Sequence, residues 1–274
     1  MTEPASGQRA AQPLLEARGL VKRYGGLLAT NQLDLSLYRG ELLALIGPNG
    51  AGKTTALGQL CGALRPDSGR IVHNGVDVTR LSLPERARRG IVRSYQISAT
   101  FLEFTVFENV SVAVQARARH HFRFFGVANR SAELNARVWP LLEQTGLQDL
   151  ARVPAADLAH GQRRQLEVAM VLATEPEVLL LDEPMAGMGA AEADAMGSLL
   201  EGLRQRYAIL LVEHDMDMVF RLADRITVLV DGAVIATGDP ASVRSDPAVQ
   251  AAYLDESPAD TASGVTALTS GQGG

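Results

Sequence analysis

Gly47-Pro48-Asn49-Gly50-Ala51-Gly52-Lys53-Thr54-Thr55 stands between a short apolar run, Glu41 to Ile46, and a segment of helical pattern, Lys53 to Cys61. The first eight residues fit G-x-x-x-x-G-K-[ST] in full, and the flanks read as strand, turn and helix, the context in which such a loop holds phosphate. The residue types explain why. Glycine lets backbone N–H groups turn inward into a concave anion nest. The helix N-terminus adds partial positive charge. Lys53 brings a mobile full charge for β- and γ-phosphates, and the Thr54 hydroxyl is a hard ligand suited to Mg²⁺. All nine residues are candidate nucleotide-binding positions. A chance glycine-rich turn would lack the flanking strand and helix.

Beyond this loop, Val178 to Leu181 and Ala208 to Val212 read as buried strands, and Ala190 to Arg204 and Met216 to Leu222 as helices. Alternation of this kind predicts an α/β fold with a mostly parallel sheet covered by helices. Thr105 to Ala173 reads as almost entirely helical, with breaks near Gly126, Pro140, Gly146 and Pro154; it is the centre of a helical insertion placed at about residues 97–175. Residues 1–13 and 255–274 are rich in Ser, Thr, Ala, Gly and Pro and are expected to be disordered tails around a domain at 14–254.

The strand at Val178 ends in Asp182-Glu183-Pro184. Ligands of open α/β sheets bind at the C-terminal edge of the strands. There Asp182 would hold Mg²⁺, as the second acidic motif of P-loop NTPases does, and Glu183 would polarise an attacking water. Alone, a strand ending in two acids is better read as a solvated strand end; beside the phosphate loop the chemical reading prevails.

Bulk properties set outer bounds. The 274 residues are 46% apolar, enough for one large α/β domain. A net charge of -5 disfavours a nucleic-acid partner. The single cysteine, Cys61, excludes an intrachain disulfide and fits a reducing compartment. The polar N-terminus has no secretory h-region, and no apolar run is long enough to span a bilayer.

Further motifs resemble those of the ABC (ATP-binding cassette) ATPases. Leu158-Ala159-His160-Gly161-Gln162 resembles the family's L-S-G-G-Q signature, Leu211-Val212-Glu213-His214-Asp215 its switch histidine, Gln96 its Q-loop glutamine, and Tyr24 the aromatic it stacks on adenine. Each is weak in isolation. In the family's order, over roughly residues 14–254, they are specific. The resemblance implies a P-loop NTPase core with a mostly parallel sheet, an N-terminal antiparallel β region and a helical insertion subdomain. It implies ATP and Mg²⁺ as cofactors, with Thr54, Gln96 and Asp182 around the metal and Lys53, Glu183 and His214 in catalysis. It further implies a head-to-tail dimer with a second cassette, in which Ala159, His160, Gly161 and Gln162 meet the partner's nucleotide. Two positions depart from the family: the signature serine is Ala159, and the usual aspartate after the acidic strand is Gly189.

Within the family, Arg89 to Gln96, Leu102 to Val110, Glu213 to Asp217, Gly238-Asp239-Pro240 and Ser245-Asp246-Pro247 resemble importer ATPases for branched-chain amino acids. That implies transmembrane permease subunits as partners, no nucleic acid, and a peripheral place at the cytoplasmic face of the inner membrane. The alternative is a soluble ABC ATPase of DNA repair or translation, which usually carries two cassettes or a coiled-coil insertion. The basic and aromatic stretch 117–130 suggests anionic lipid or a partner contact, against the preferred reading of a solvated helix end with its Phe residues packed inward. Adjacent His120 and His121 do not make a zinc site.

Overall fold

The computed structural model describes residues 12–94, 100–117 and 127–254. Its centre is β3 (Leu42–Ile46), all five residues of which are buried. Side chains alternate across a strand, and here the two sets serve two cores. Leu42, Ala44 and Ile46 pack on one face with Leu200, Val219 and Leu222. Leu43 and Leu45 pack on the other with Leu57, Leu60 and Leu33. A strand apolar on both faces belongs inside a parallel sheet, and β3 lies there between β8 (Ala208–Val212) and β9 (Arg225–Val230).

The full six-stranded order is β10-β9-β3-β8-β7-β6, with β6 at Ile91–Arg93, β7 at Val178–Asp182 and β10 at Ala233–Gly238. Only β10 runs antiparallel to its neighbour. A second, antiparallel sheet has the order β2-β1-β4-β5, built from β1 (Leu15–Tyr24), β2 (Leu27–Leu37), β4 (Ser68–His73) and β5 (Val76–Asp77). The fold class expected from the sequence is the one observed.

Helix α1 (Lys53–Cys61) follows the glycine loop. Its far end is closed by Gly62 in the left-handed region and by Arg86 of α2 (Leu83–Arg88). Arg86 is 1% exposed, and its guanidinium donates to the carbonyls of Gln59 and Leu60 at 2.6 and 2.8 Å and of Thr79 at 2.9 Å. A cation among the last carbonyls of a helix satisfies acceptors that have no intrahelical partner.

Between β6 and β7, α3 (Val106–Arg117), α4 (Val127–Gln144) and α5 (His160–Leu172) form a third core around Val110, Leu142, Leu147 and Leu166. The break expected at Pro140 is absent: Pro140 lies inside α4. Proline removes one hydrogen bond, but Val138 and Leu142 on either side are fully buried, and their packing carries the helix through. The break at Gly146 is present, with φ at +72°. Helix α6 (Ala190–Arg204) precedes β8, α7 (Met216–Leu222) follows it, and α8 (Pro240–Ser245) and α9 (Pro247–Leu254) lie beyond β10. Among the described residues no helix is long and apolar enough to cross a membrane. The expected tails fall outside the described residues except for Gln12 and Pro13, as do Gln96, His120 and His121.

Candidate nucleotide site

Strand register brings the chemical residues to one edge. Leu45 of β3 is level with Val212 of β8, and Val212 with Asp182 of β7. The three parallel strands therefore end together, and the residues just past them, Gly47, Glu213-His214 and Glu183, emerge side by side at the C-terminal edge.

The loop after β3 needs its glycines. Gly47, Gly50 and Gly52 have φ of +148°, +82° and +102°. A Cβ at Gly47 would collide with the carbonyl of Leu229, and one at Gly52 with that of Ala29. Gly52 caps α1, no side chain bonds to the cap, and no acid lies in the first turn. That leaves the field of the helix N-terminus to an anion. Lys53 donates its ammonium to the carbonyls of Gly47 and Pro48, at 2.5 and 2.9 Å, holding the charge over the loop. Thr54 is exposed at the start of the helix and Thr55 half-buried beside it.

On β7, Asp182 is paired with Arg93 of β6 at 2.6 Å, with both side chains largely buried. The aspartate thus stands where a cation already neutralises it. The donor set suits Mg²⁺: a carboxylate and a hydroxyl, both hard oxygens, beside a nest for phosphate oxygens. Glu183 is exposed, with φ at +47°, and its N–H donates to the Val212 carbonyl at 2.8 Å. Left-handed backbone at a residue with a Cβ is strained and persists only where the surroundings hold it. His214 follows β8 with its side chain 68% exposed. Asp215 caps α7 by accepting the Met218 N–H at 3.1 Å. Tyr24 ends β1 with 47% of its surface exposed, the Lys22 ammonium 5.7 Å from its ring centre.

The signature residues lie at the start of α5 and touch the segment after Glu183. Ala159 is the N-cap, and its N–H donates to the Gln162 side chain at 3.0 Å; having no hydroxyl, it returns nothing. A His160 ring nitrogen is 3.2 Å from the Ala186 carbonyl. Glu192 of α6 joins the starts of two helices, accepting the N–H of Gly161 in the first turn of α5 at 3.1 Å and that of Gly189, the N-cap of α6, at 3.2 Å. A Cβ at Gly161 would press on that carboxylate at 2.8 Å and displace it from the Gly161 N–H.

Arg93 and Glu213 stand within motifs of the sequence that assign neither of them a contact, and Glu192 stands outside those motifs. Only Glu192 left a local signal, an acid three residues after a cap position.

A model of the ABC transporter family matches residues 30–186. The chain belongs to that family. A shorter model, the branched-chain amino acid ATP-binding cassette transporter, matches residues 233–254 of this cassette, the span of β10, α8 and α9. The cassette is 41% identical over 256 residues to the high-affinity branched-chain amino acid transport ATP-binding protein LivG of Escherichia coli K12, covering 90% of this chain and 99% of LivG. It is 38% identical over 255 residues to the corresponding protein BraF of Pseudomonas aeruginosa, covering 90% and 99%. Among solved structures, the ADP conformation of an ATP-binding cassette of an ABC transporter aligns with a TM-score of 0.78 at 27% identity, covering 90% of this chain and 100% of that one. The nucleotide-free form of a cassette gives 0.77, also at 27%, covering 89% and 100%. This cassette is accordingly an ATP-binding, ATP-hydrolysing transporter subunit.

Proposed function

We propose that the cassette powers import of branched-chain amino acids or closely related small solutes. It would sit peripherally at the cytoplasmic face of the inner membrane, bound to transmembrane permease subunits. The observation that carries this is the C-terminal match at residues 233–254 together with end-to-end similarity to LivG. Nothing observed favours the soluble alternative.

In this reading Tyr24 stacks on adenine, the N–H groups of residues 47–55 receive the phosphates, and Lys53 leaves the loop carbonyls for them. Thr54, Asp182 and Gln96 hold Mg²⁺, which when bound neutralises charge on the β- and γ-phosphate oxygens. Glu183 takes the proton of the attacking water, and His214 contacts the γ-phosphate. Two cassettes pack head to tail, so that residues 159–162 of each reach the other's nucleotide by the start of α5. The second cassette is a copy of this chain or a related one.

The test is ATP-driven uptake of radiolabelled leucine into proteoliposomes holding the cassette with its permease and solute-binding subunits. Uptake that is abolished by Lys53→Ala is expected. Uptake unchanged in that variant, or none with the wild type, overturns the reading.

A further inference from the structure

Glu213 is a buried acid placed between the two loops that do the chemistry. It is 2% exposed, and it immediately follows β8. One carboxylate oxygen accepts the Met185 N–H at 2.9 Å, two residues past Glu183. The other accepts the His214 N–H at 3.1 Å and lies 3.7 Å from that ring's Nδ1.

The contacts around Glu183 complete a clamp. The Glu183 N–H is taken by the Val212 carbonyl, Pro184 has no N–H, and the Met185 N–H is taken by Glu213. The end of β8 therefore grips the Glu183-Pro184 unit on both sides of a turn, closed by the Ala186 N–H donating to the Glu183 carbonyl at 3.2 Å, in which Glu183 has a left-handed φ of +47°. The Met185 and His214 N–H groups both donate to the Glu213 carboxylate, which suits a group that only accepts. Burial pushes its carboxyl above the usual range, the two N–H bonds oppose that shift, and Glu183 nearby adds to it. A carboxylate in so dry a place costs free energy unless it has a use for its acceptors.

We infer that Glu213 is a positioning residue for hydrolysis: it binds the backbone of the Glu183 loop and the His214 loop into one unit, so that the water-activating carboxylate and the switch histidine keep their relative geometry. This rests on the assignment of Glu183 as the base. A misplacement of about 1 Å at a reacting group can lower a rate roughly 100-fold, whereas the phosphate loop, on β3, does not depend on this clamp.

The experiment compares Glu213→Ala, Glu213→Gln and Glu183→Gln in the assembled transporter. It measures kcat and KM for ATP, fluorescent-nucleotide affinity and thermal midpoint. For Glu213→Ala we expect kcat to fall about 10- to 100-fold with nucleotide affinity within about twofold. Glu213→Gln, whose amide oxygen can still accept the Met185 N–H but whose NH2 faces the His214 N–H, should recover kcat in part, to a value between the alanine variant and wild type. If the alanine variant is not recovered folded, Glu213→Asp, which keeps the charge but shortens the reach, should show the same loss. Unchanged kcat in Glu213→Ala overturns the inference. So does a kcat loss that merely tracks weakened nucleotide binding, or a Glu213→Gln as slow as the alanine variant with normal binding. Wild-type turnover in Glu183→Gln would instead remove Glu183 as the base, and the inference with it.

Discussion

Glu183 and Asp182 are neighbours in sequence with opposite surroundings. Asp182 is largely buried and paired with Arg93; Glu183 is exposed, with its backbone in the left-handed region. The first suits a fixed charge and the second a group that takes and releases a proton. Glu183→Gln should therefore leave ATP binding intact while lowering turnover about 10²- to 10⁴-fold, the usual cost of losing a general base. Equilibrium binding and steady-state hydrolysis measured on one preparation check this; lost binding would assign Glu183 to the metal instead. Motif residues such as Lys53 and Glu183 were legible because spacing along the chain announces them. Arg93 and Glu213 were not, because each acquires its partner only when β6, β7 and β8 align. Sequence carries no periodic trace of a contact 89 residues apart, as between Arg93 and Asp182.

At the scale of elements, the two helices that begin at the site are finished differently. α1 starts at the phosphate loop and is closed at its other end by Arg86. Arg86→Met would strip buried carbonyls of their donor, at about 1–3 kcal/mol for each one left unsatisfied. With the Gln59, Leu60 and Thr79 carbonyls all losing a donor, the expected result is a thermal midpoint lower by about 10 °C or more with the phosphate loop's residues untouched, read by calorimetry. α5 begins at Ala159 with half of a reciprocal cap, the Gln162 side chain taking the Ala159 N–H. Ala159→Ser supplies the other half. An N-cap hydroxyl contributes about 1 kcal/mol, which for a domain of this size raises the midpoint about 2–4 °C. If the head-to-tail dimer holds, the same hydroxyl reaches the partner's phosphate, and ATP-driven association in a Glu183→Gln background strengthens several-fold in sedimentation. A higher midpoint with unaltered association would confine the serine to capping. Helix positions were readable from hydrophobic period. The continuity of α4 through Pro140 was not, since a local rule about proline yields to the burial of Val138 and Leu142.

For the whole molecule, the phosphate loop is the place where two sheets meet. Gly52 lies against the Ala29 carbonyl of β2 in the antiparallel sheet, and Gly47 against the Leu229 carbonyl of β9 in the other. The turn after β9 closes the junction: the Gly232 N–H donates to the Ala51 carbonyl at 3.0 Å, and the Asn31 N–H to the Gly232 carbonyl at 2.7 Å. Deuterium uptake at these two amides is thus gated by the stillness of a loop to which neither belongs. Nucleotide that quiets residues 47–52 should slow exchange at Gly232 and, one bond further on, at Asn31, although no phosphate touches them. The protection would travel from a ligand on one sheet into a strand of the other through two carbonyls, and peptides covering 28–35 and 229–235 would report occupancy of the pocket from outside it.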